Sequence, residues 1–279
     1  MGPARRVCAA GRMTALRRIA LRVPGGEAEP LLARLVELSP DGFEEVDLGG
    51  GAVELVVYAD AARADVLLTE LPGAVAEPVA DGWEDQWRAF HRPTVVAGLW
   101  LGPPWETPPD PARAIVIDPG RAFGTGSHPT TRLCVDLLAG TRRRGSLLDV
   151  GCGSGVLAIA GARLGFEPVG AVDVDPVAVE TTRANASVNG VPIDARVTDA
   201  LTEPLPPADV AVANVLLGPV ESMLRRLHAH EVITSGYLTG ERPAHDGWEH
   251  LESRELEGWS ADRFRRHPGV GTGSATIRP

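Results

Sequence analysis

A glycine-rich turn directly after an apolar stretch is the strongest candidate for chemistry in this chain. Gly151, Gly153 and Gly155 follow the apolar residues 146–150 and precede an apolar helical pattern that starts at Val156. Glycines in such a place permit a tight turn and let a ligand approach the backbone. The dinucleotide fingerprint G-x-G-x-x-G would require glycine at position 156. The spacing G-x-G-x-G therefore favours S-adenosylmethionine (AdoMet) over NAD as the ligand.

Acidic residues follow the next two predicted strands. Asp173, at the end of the segment 168–172, is placed to accept hydrogen bonds from two ribose hydroxyls. Asp175 stands just before Pro176 and fits a helix N-cap, a role compatible with the one given to Asp173. Asp199 follows a shorter predicted strand. It either holds an adenine amino group or is a solvated loop residue, and both interpretations stay open.

Two further segments carry polar side chains that suit a binding site. Asn214 lies at the carboxyl end of a predicted strand, where open α/β sheets bind ligands, and its amide could orient an amine or the methionine end of AdoMet. It is also a common turn residue. The segment 117–131 (I-D-P-G-R-A-F-G-T-G-S-H-P-T-T) precedes a helix, and its N–H groups could hold a carboxylate. His128 is either a general base or, as the favoured interpretation, a residue that fixes the turn.

Catalytic acids, bases and metal ligands are not predicted. The sequence shows neither a Ser-His-Asp arrangement nor H-E-x-x-H, and its histidines lack a convincing ligand spacing. The three cysteines, at positions 8, 134 and 152, are odd in number and form no C-x-x-C pair. This argues against a disulfide framework or a zinc site and fits a reducing cytoplasm.

The elements that must position these residues fall into two domains. The first 80 residues show a βαββαβ pattern, which is the ferredoxin-like plan; the segments are 16–23, 27–38, 43–48, 53–58, 61–71 and 75–79. From about residue 112, strands alternate with helices, which predicts a parallel, doubly wound Rossmann-like sheet. Its strands are 114–117, 146–150, 168–172, 195–197, 209–213 and 232–237, and its helices are 130–138, 156–164, 176–189 and 219–229.

The predicted domain organisation has four parts. Residues 1–13 form a disordered start, and Met13 is an alternative first residue. Residues 14–80 form the ferredoxin-like domain, and residues 112–279 form the α/β domain. Between them, residues 81–111 form a Trp- and Pro-rich linker with four of the six Trp, which either pack the domains together or line a cleft; these are Trp83, Trp87, Trp100 and Trp105.

Composition narrows the classes of function. The net charge of −10 disfavours direct binding of nucleic acid and favours a basic protein partner. No apolar run reaches the 18 residues of a membrane span, and the start lacks the apolar segment of a signal peptide. Every basic side chain is Arg, so lysine chemistry such as a Schiff base is excluded.

Taken together, the motifs resemble the ribosomal-protein methyltransferase family PrmA. The resemblance rests on D-P-G-R-A-F-G-T-G-S-H-P-T-T, D-V-G-C-G-S-G-V-L-A-I-A, V-D-V-D-P and A-N-V-L-L-G-P, in that order. It covers residues 81–240 and extends plausibly over 14–80. It implies AdoMet contacts at Thr131, Gly151, Asp173 and Asn214. Past Gly236 the sequence departs from the family, because the expected long helix is short and broken over 239–248.

The resemblance also implies a function. The family methylates amino groups of one large-subunit ribosomal protein at the stalk base, giving trimethylated lysines and N-terminus, and uses a ferredoxin-like domain to recognise it. The alternatives are a methyltransferase for another protein or a small-molecule amine, a non-catalytic AdoMet-binding module, and an NAD-dependent oxidoreductase. Val156 argues against the last. The modified residues, the number of methyl groups and the oligomeric state are left open.

Overall fold

The computed structural model describes residues 17–24, 31, 34, 35, 38, 44–59, 61–78, 92–118 and 126–267. The chain divides into two compact units, Met1–Arg88 and Ala89–Pro279. The predictions for residues 1–13, for Trp83 and for Trp87 lie outside the described residues. No helix of the described part is long and apolar enough to cross a membrane.

The first unit contains a four-stranded antiparallel sheet of order β2-β3-β1-β4. Its strands are β1 (Arg17–Pro24), β2 (Glu44–Gly49), β3 (Ala52–Ala59) and β4 (Val75–Pro78), and helix α1 (Ala61–Glu70) follows β3. The hairpin turn predicted at residues 49–51 is present, with Gly50 and Gly51 connecting β2 to β3 and Gly49 paired with Ala52.

The core of this unit follows from strand alternation. Ile19, Leu21 and Val23 of β1 point to one face, where they pack with residues of β3 and α1 such as Leu55 and Leu67. The strand order suits the predicted βαββαβ plan. Within the predicted helix 27–38, only residues 31, 34, 35 and 38 are described, and these are helical. The ferredoxin-like assignment therefore stays a prediction.

The second unit begins with a small three-stranded sheet, of which the sequence predicted one strand. Its strands are β5 (Thr94–Val96), β6 (Leu99–Gly102) and β7 (Ala114–Val116), with β5 antiparallel and β7 parallel to β6. Only β7 was expected. Leu99, Trp100 and Leu101 are buried, so part of the stretch predicted as a linker is ordered β-structure with a core role.

A seven-stranded sheet of order β10-β9-β8-β11-β12-β14-β13 forms the centre of the second unit. Its first five strands run parallel, as predicted. Strand β14 pairs antiparallel with β12, and β13 pairs antiparallel with β14. The strands are β8 (Leu147–Val150), β9 (Val169–Asp173), β10 (Asp194–Val197), β11 (Ala208–Asn214), β12 (Ala229–Leu238), β13 (Trp248–Leu256) and β14 (Trp259–Arg266).

Helices cover the sheet and complete a Rossmann-like α/β fold. They are α2 (Pro129–Gly140), α3 (Val156–Arg163), α4 (Pro176–Asn189) and α5 (Leu217–Leu224). One core cluster joins the sheet to α2 and α3, and another joins it to α5. The strand order reverses direction beside β8, because β9 lies on one side of β8 and β11 on the other. Such a switch point creates a ligand-binding crevice at the carboxyl ends of the strands.

The end of the described chain corrects the expectation of a short, broken helix past Gly236. Strand β12 continues to Leu238, and β13 and β14 then form an antiparallel hairpin that turns at Glu257 and Gly258. Strand β14 buries residues on both of its faces, since Ala261 belongs to one core cluster and Phe264 to the other, while Arg265 is exposed. Strand β14 pairs with both β12 and β13, so this part of the chain is held as sheet by contacts that the local sequence does not reveal. Helix α5 likewise ends at Leu224, five residues before the predicted 229.

Candidate cofactor and acceptor site

The parallel register of the sheet brings three of the predicted site residues to one edge. Val150, the last residue of β8, pairs with Val172 on one side and with Ala213 on the other. Gly151, Asp173 and Asn214 each come within one residue of these positions along their own strands. Since the carboxyl ends of parallel strands meet at the same edge, these three predicted residues lie close together there.

The glycine turn is fixed by hydrogen bonds to the neighbouring strand. The N–H of Gly151 donates to the carbonyl of Val172 at 2.8 Å, and the N–H of Gly153 donates to Asp173 Oδ2 at 2.9 Å. Gly151 has a φ of +77°, a left-handed conformation that a side chain would strain. The glycine turn and Asp173 at the end of β9 therefore form one hydrogen-bonded unit.

Asp173 is held at both carboxylate oxygens. In addition to the bond from Gly153, its Oδ1 accepts a hydrogen bond from the N–H of Asp175 at 3.0 Å. Asp175 in turn caps helix α4, accepting at Oδ1 from Val177 N at 2.8 Å, as the sequence analysis expected. Each carboxylate oxygen of Asp173 keeps further acceptor capacity, and the residue is partly exposed. Its orientation suits two hydroxyl donors from a ribose.

Asp149 is a buried carboxyl group that the sequence analysis did not single out. It lies at the end of β8 with 1% of its surface exposed. Its Oδ2 accepts from Ala158 N at 3.0 Å, whereas its Oδ1 has no hydrogen-bond partner among the described residues. Burial, aided by the charge of Asp173, raises the pKa of Asp149 to about 7. The position of Asp149 inside the apolar run L-L-D-V was the feature of the sequence that could have indicated a buried carboxyl group.

The first turn of α2 carries Thr131, the last residue of the distinctive segment 117–131. Residues 119–125 of that segment lie outside the described part. Thr131 is fully buried, and its Oγ1 has no hydrogen-bond partner among the described residues. Because buried hydroxyls are normally hydrogen-bonded, this group is suited to a ligand atom.

His128 caps α2, and this favours the turn-fixing interpretation over a general base. Its Nδ1 lies 2.8 Å from Thr130 Oγ1 and accepts from Thr130 N at 3.4 Å. Burial lowers the pKa of His128, with Glu257 opposing the shift. The neutral ring is therefore used as a helix cap.

The terminal hairpin supports the same turn of α2. The ring of Trp259 meets the ring of His128 edge to face, with centroids 5.0 Å apart. Arg132 Nη1 lies 3.1 Å from Glu257 Oε1. Trp259 and Glu257 were missed at the sequence level, because their contacts depend on a hairpin more than 120 residues further along the chain.

Unlike the carboxylate of Asp173, the side chain of Asn214 makes no hydrogen bond with the described residues. The residue is half-buried at the end of β11. The next residue is fixed, since Val215 N donates to Ser235 O at 3.1 Å. The backbone is thus held while the amide stays available for a ligand.

Asp199, by contrast, is engaged in its own turn. Its Oδ1 accepts from Leu201 N at 2.9 Å and its Oδ2 from Thr202 Oγ1 at 2.8 Å. These bonds, led by that from Leu201, lower the pKa of Asp199. The loop interpretation is therefore favoured over an adenine contact. No cluster of three or more metal-ligating side chains occurs within the described residues.

Comparison with known proteins extends this geometry to a family. The family model "Ribosomal protein L11 methyltransferase (PrmA)" matches residues 53–265. A ribosomal protein L11 methyltransferase of Dechloromonas aromatica (strain RCB) is 45% identical over 173 residues, which are 61% of this chain and 58% of the relative. One from Legionella pneumophila (strain Corby) is 38% identical over 200 residues, covering 66% and 68%. The match thus spans little more than half of the first relative.

A solved structure agrees with these relatives. The crystal structure of a ribosomal protein L11 methylase from Lactobacillus delbrueckii subsp. bulgaricus is 29% identical, with a TM-score of 0.55. It covers 61% of this chain and 95% of that one. A methyltransferase family indicates AdoMet as the cofactor of the site. From the motifs, the fold and the length of the family match, the chain belongs to the ribosomal protein L11 methyltransferase (PrmA) family.

Proposed function

We propose that this chain is an AdoMet-dependent protein N-methyltransferase that modifies lysine and N-terminal amino groups of ribosomal protein L11. One observation carries the proposal. At the carboxyl edge of the sheet, a glycine turn bonded to Asp173 lies beside the amide of Asn214, which bonds to none of the described residues. Family membership and relatives named as L11 methyltransferases support the choice of substrate.

The cofactor half of the site comprises four groups. When bound, AdoMet supplies a methyl group made electrophilic by its sulfonium. Asp173 accepts hydrogen bonds from the ribose, and the backbone of Gly151 and Gly153 lines the cofactor. The buried Oγ1 of Thr131 bonds to the methionine end. The available acceptor capacity of Asp173 and the unsatisfied hydroxyl of Thr131 fit these roles.

Asn214 serves the acceptor amine. A lysine with a pKa near 10.4 is mostly charged at neutral pH, so the neutral form must be selected and aligned. The carbonyl oxygen of Asn214 accepts a hydrogen bond from the amine and aims its lone pair in line with the methyl group. This positioning, rather than a general base, is the contribution we assign to the protein. The departing proton passes to water, since His128 is used as a helix cap.

The first unit completes the proposal as the part that recognises the substrate. A net charge of −10 attracts a basic ribosomal protein and disfavours direct contact with nucleic acid. A ribosomal protein as the substrate supports a cytoplasmic location for the enzyme.

A labelled-methyl transfer assay on ribosomal proteins, from a strain that lacks this gene, tests the proposal. We expect one labelled band that corresponds to L11. The chain contains no lysine, so labelled methyl-lysine recovered after hydrolysis comes from the substrate and not from the enzyme itself. Asn214→Ala serves as the control with impaired turnover. Label in another protein would overturn the substrate, and AdoMet binding without any transfer would indicate a non-catalytic module.

A further inference from the structure

Val215, the residue after the proposed acceptor amide, is packed between two glycines from different parts of the sheet. A Cβ atom built on Gly151 would lie 2.6 Å from Val215 Cγ1. A Cβ atom on Gly236 would overlap the carbonyl oxygen of Val215, and would lie 2.6 Å from its carbonyl carbon and 3.0 Å from its nitrogen. A side chain at either position 151 or position 236 would therefore collide with Val215.

The two contacts differ in kind. Gly151 faces a side-chain methyl group of Val215, whereas Gly236 faces its peptide backbone. Gly236 lies in β12 at an irregularity of the register between Ser235 and Tyr237, with a φ of +102°. Ser235, just before it, accepts the hydrogen bond from Val215 N. Ser235 and Gly236 of β12 thus contact the backbone of the residue that follows Asn214.

We propose that Gly236 is a positioning residue for Asn214, and that Val215 couples the cofactor turn to the acceptor amide. The inference rests on the proposed function. Gly236 sets how closely the segment 214–215 approaches β12, and so where the amide of Asn214 lies. Gly151 sets the same segment from the cofactor side. The distance between cofactor and acceptor amine is then fixed by two glycines, without a hydrogen bond to the Asn214 side chain.

A methyl group at position 236 has a definite consequence. A backbone peptide cannot rotate away as a side chain does, so the 214–215 segment must move. A misplacement of about 1 Å in a reacting geometry can cost on the order of 100-fold in rate. The ribose contact at Asp173 lies two strands away from β11 in the sheet, beyond β8, and is not displaced directly.

The test compares Gly236→Ala with Gly240→Ala in the full chain. Gly240 has a similar φ of +90°, but a Cβ there meets no atom within 4 Å. It therefore controls for backbone strain alone. We expect Gly236→Ala to lose at least about 10-fold in turnover at saturating AdoMet, with AdoMet affinity changed less than about 3-fold. Gly240→Ala should retain both. Equal turnover in the two variants, or a parallel loss of affinity and turnover in Gly236→Ala, would overturn the positioning role.

A second pair of variants tests the coupling through Val215 and still decides if Gly236→Ala does not fold. Gly151→Ala should be impaired, and the double variant Gly151→Ala/Val215→Ala should recover part of the loss, because the obstructing atom is a side-chain methyl. Absence of any recovery would contradict the coupling.

An NMR readout separates this inference from the proposed function. The side-chain amide signals of Asn214, identified by their loss in Asn214→Ala, should shift in Gly236→Ala and remain in place in Gly240→Ala. This result does not require methyl transfer. An unmethylated substrate together with these shifts would refute the proposed function and retain the positioning role. Unshifted signals in Gly236→Ala would refute the positioning role whatever the activity.

Discussion

The two halves of the site are held by different forces. At the ends of β8 and β9, the polar groups are bonded to one another, with Asp173 accepting from both Gly153 and Asp175. At the ends of β11 and β12, the side chain of Asn214 has no hydrogen bond within the described residues. There, close packing of Val215 against Gly236 fixes the backbone.

The two kinds of contact suit the two tasks of the site, which are binding the cofactor and admitting the acceptor. Hydrogen bonds to a carboxylate hold a charge in a set orientation, which suits the tight binding of a cofactor. Steric packing fixes a backbone while leaving an amide free to bond to an incoming group, which suits an acceptor that must enter and leave. Changes in the first half should therefore act on affinity, and changes in the second half on turnover.

The largest expected effect is that of Asp173→Ala on AdoMet affinity. The change removes the proposed ribose contact and the acceptor for two loop N–H groups, so we expect a loss of about 2–4 kcal/mol, which calorimetric titration would measure. Asp175→Ala is the matched control, since it removes only a helix cap worth about 1 kcal/mol. Similar AdoMet affinities in the two variants would break the assignment of Asp173.

Asn214→Ala should mainly affect turnover. Loss of the orienting amide should lower the rate at saturating AdoMet on the order of 100-fold, while AdoMet affinity falls much less than in Asp173→Ala. Single-turnover kinetics would measure the rate. Near-normal turnover would reduce Asn214 to a turn residue.

The buried carboxyl group of Asp149 should make the stability of the fold depend on pH. The pKa of Asp149 is raised to about 7, so folding favours the protonated carboxyl group over the ionised one. The stability from the neutral carboxyl is present below the unfolded pKa near 3.8 and is lost as pH rises through about 7. Between about pH 5 and pH 8, the wild-type chain should lose on the order of 2 kcal/mol more than Asp149→Asn in urea unfolding. Equal losses would show that Asp149 is ionised throughout.

The smallest expected effect concerns the hairpin that supports α2. Trp259→Ala removes the edge contact with His128 and should weaken AdoMet binding about 3- to 10-fold, with turnover at saturation retained. Trp259→Phe should recover most of the affinity. Glu257→Gln removes only an exposed ion pair and should change affinity less than about 2-fold. A larger effect of Glu257→Gln than of Trp259→Ala would contradict this order.

The parallel part of the fold was predictable because its signals are local. An apolar strand followed by Gly151, and apolar strands that end in Asp173 and Asn214, located the ends of β8, β9 and β11. Pro176 with Asp175 marked the start of α4. The hairpin of β13 and β14 was not predicted, because its strands are rich in charged residues and depend on pairing with β12. Strands β5 and β6 were not predicted because they are only three and four residues long and lie next to the proline-rich stretch 103–111.

The site was predictable only in part. Gly153 could be placed because it lies in the turn after an apolar strand, and Asp173 and Asn214 could be placed because each ends such a strand. The roles of Gly236 and Trp259 depend on contacts between residues distant in sequence, and no spacing rule reveals them. Asp149 was overlooked because an acidic residue inside an apolar run was interpreted as part of the strand.

The most direct test of the division between the two halves measures AdoMet affinity and saturating turnover on the same preparations of Asp173→Ala and Asn214→Ala. The account predicts opposite patterns. Asp173→Ala should lose mostly affinity and recover turnover when AdoMet is in large excess. Asn214→Ala should keep most of its affinity and lose turnover that excess AdoMet does not restore. Parallel losses of affinity and turnover in both variants would contradict the separation of a cofactor half from an acceptor half.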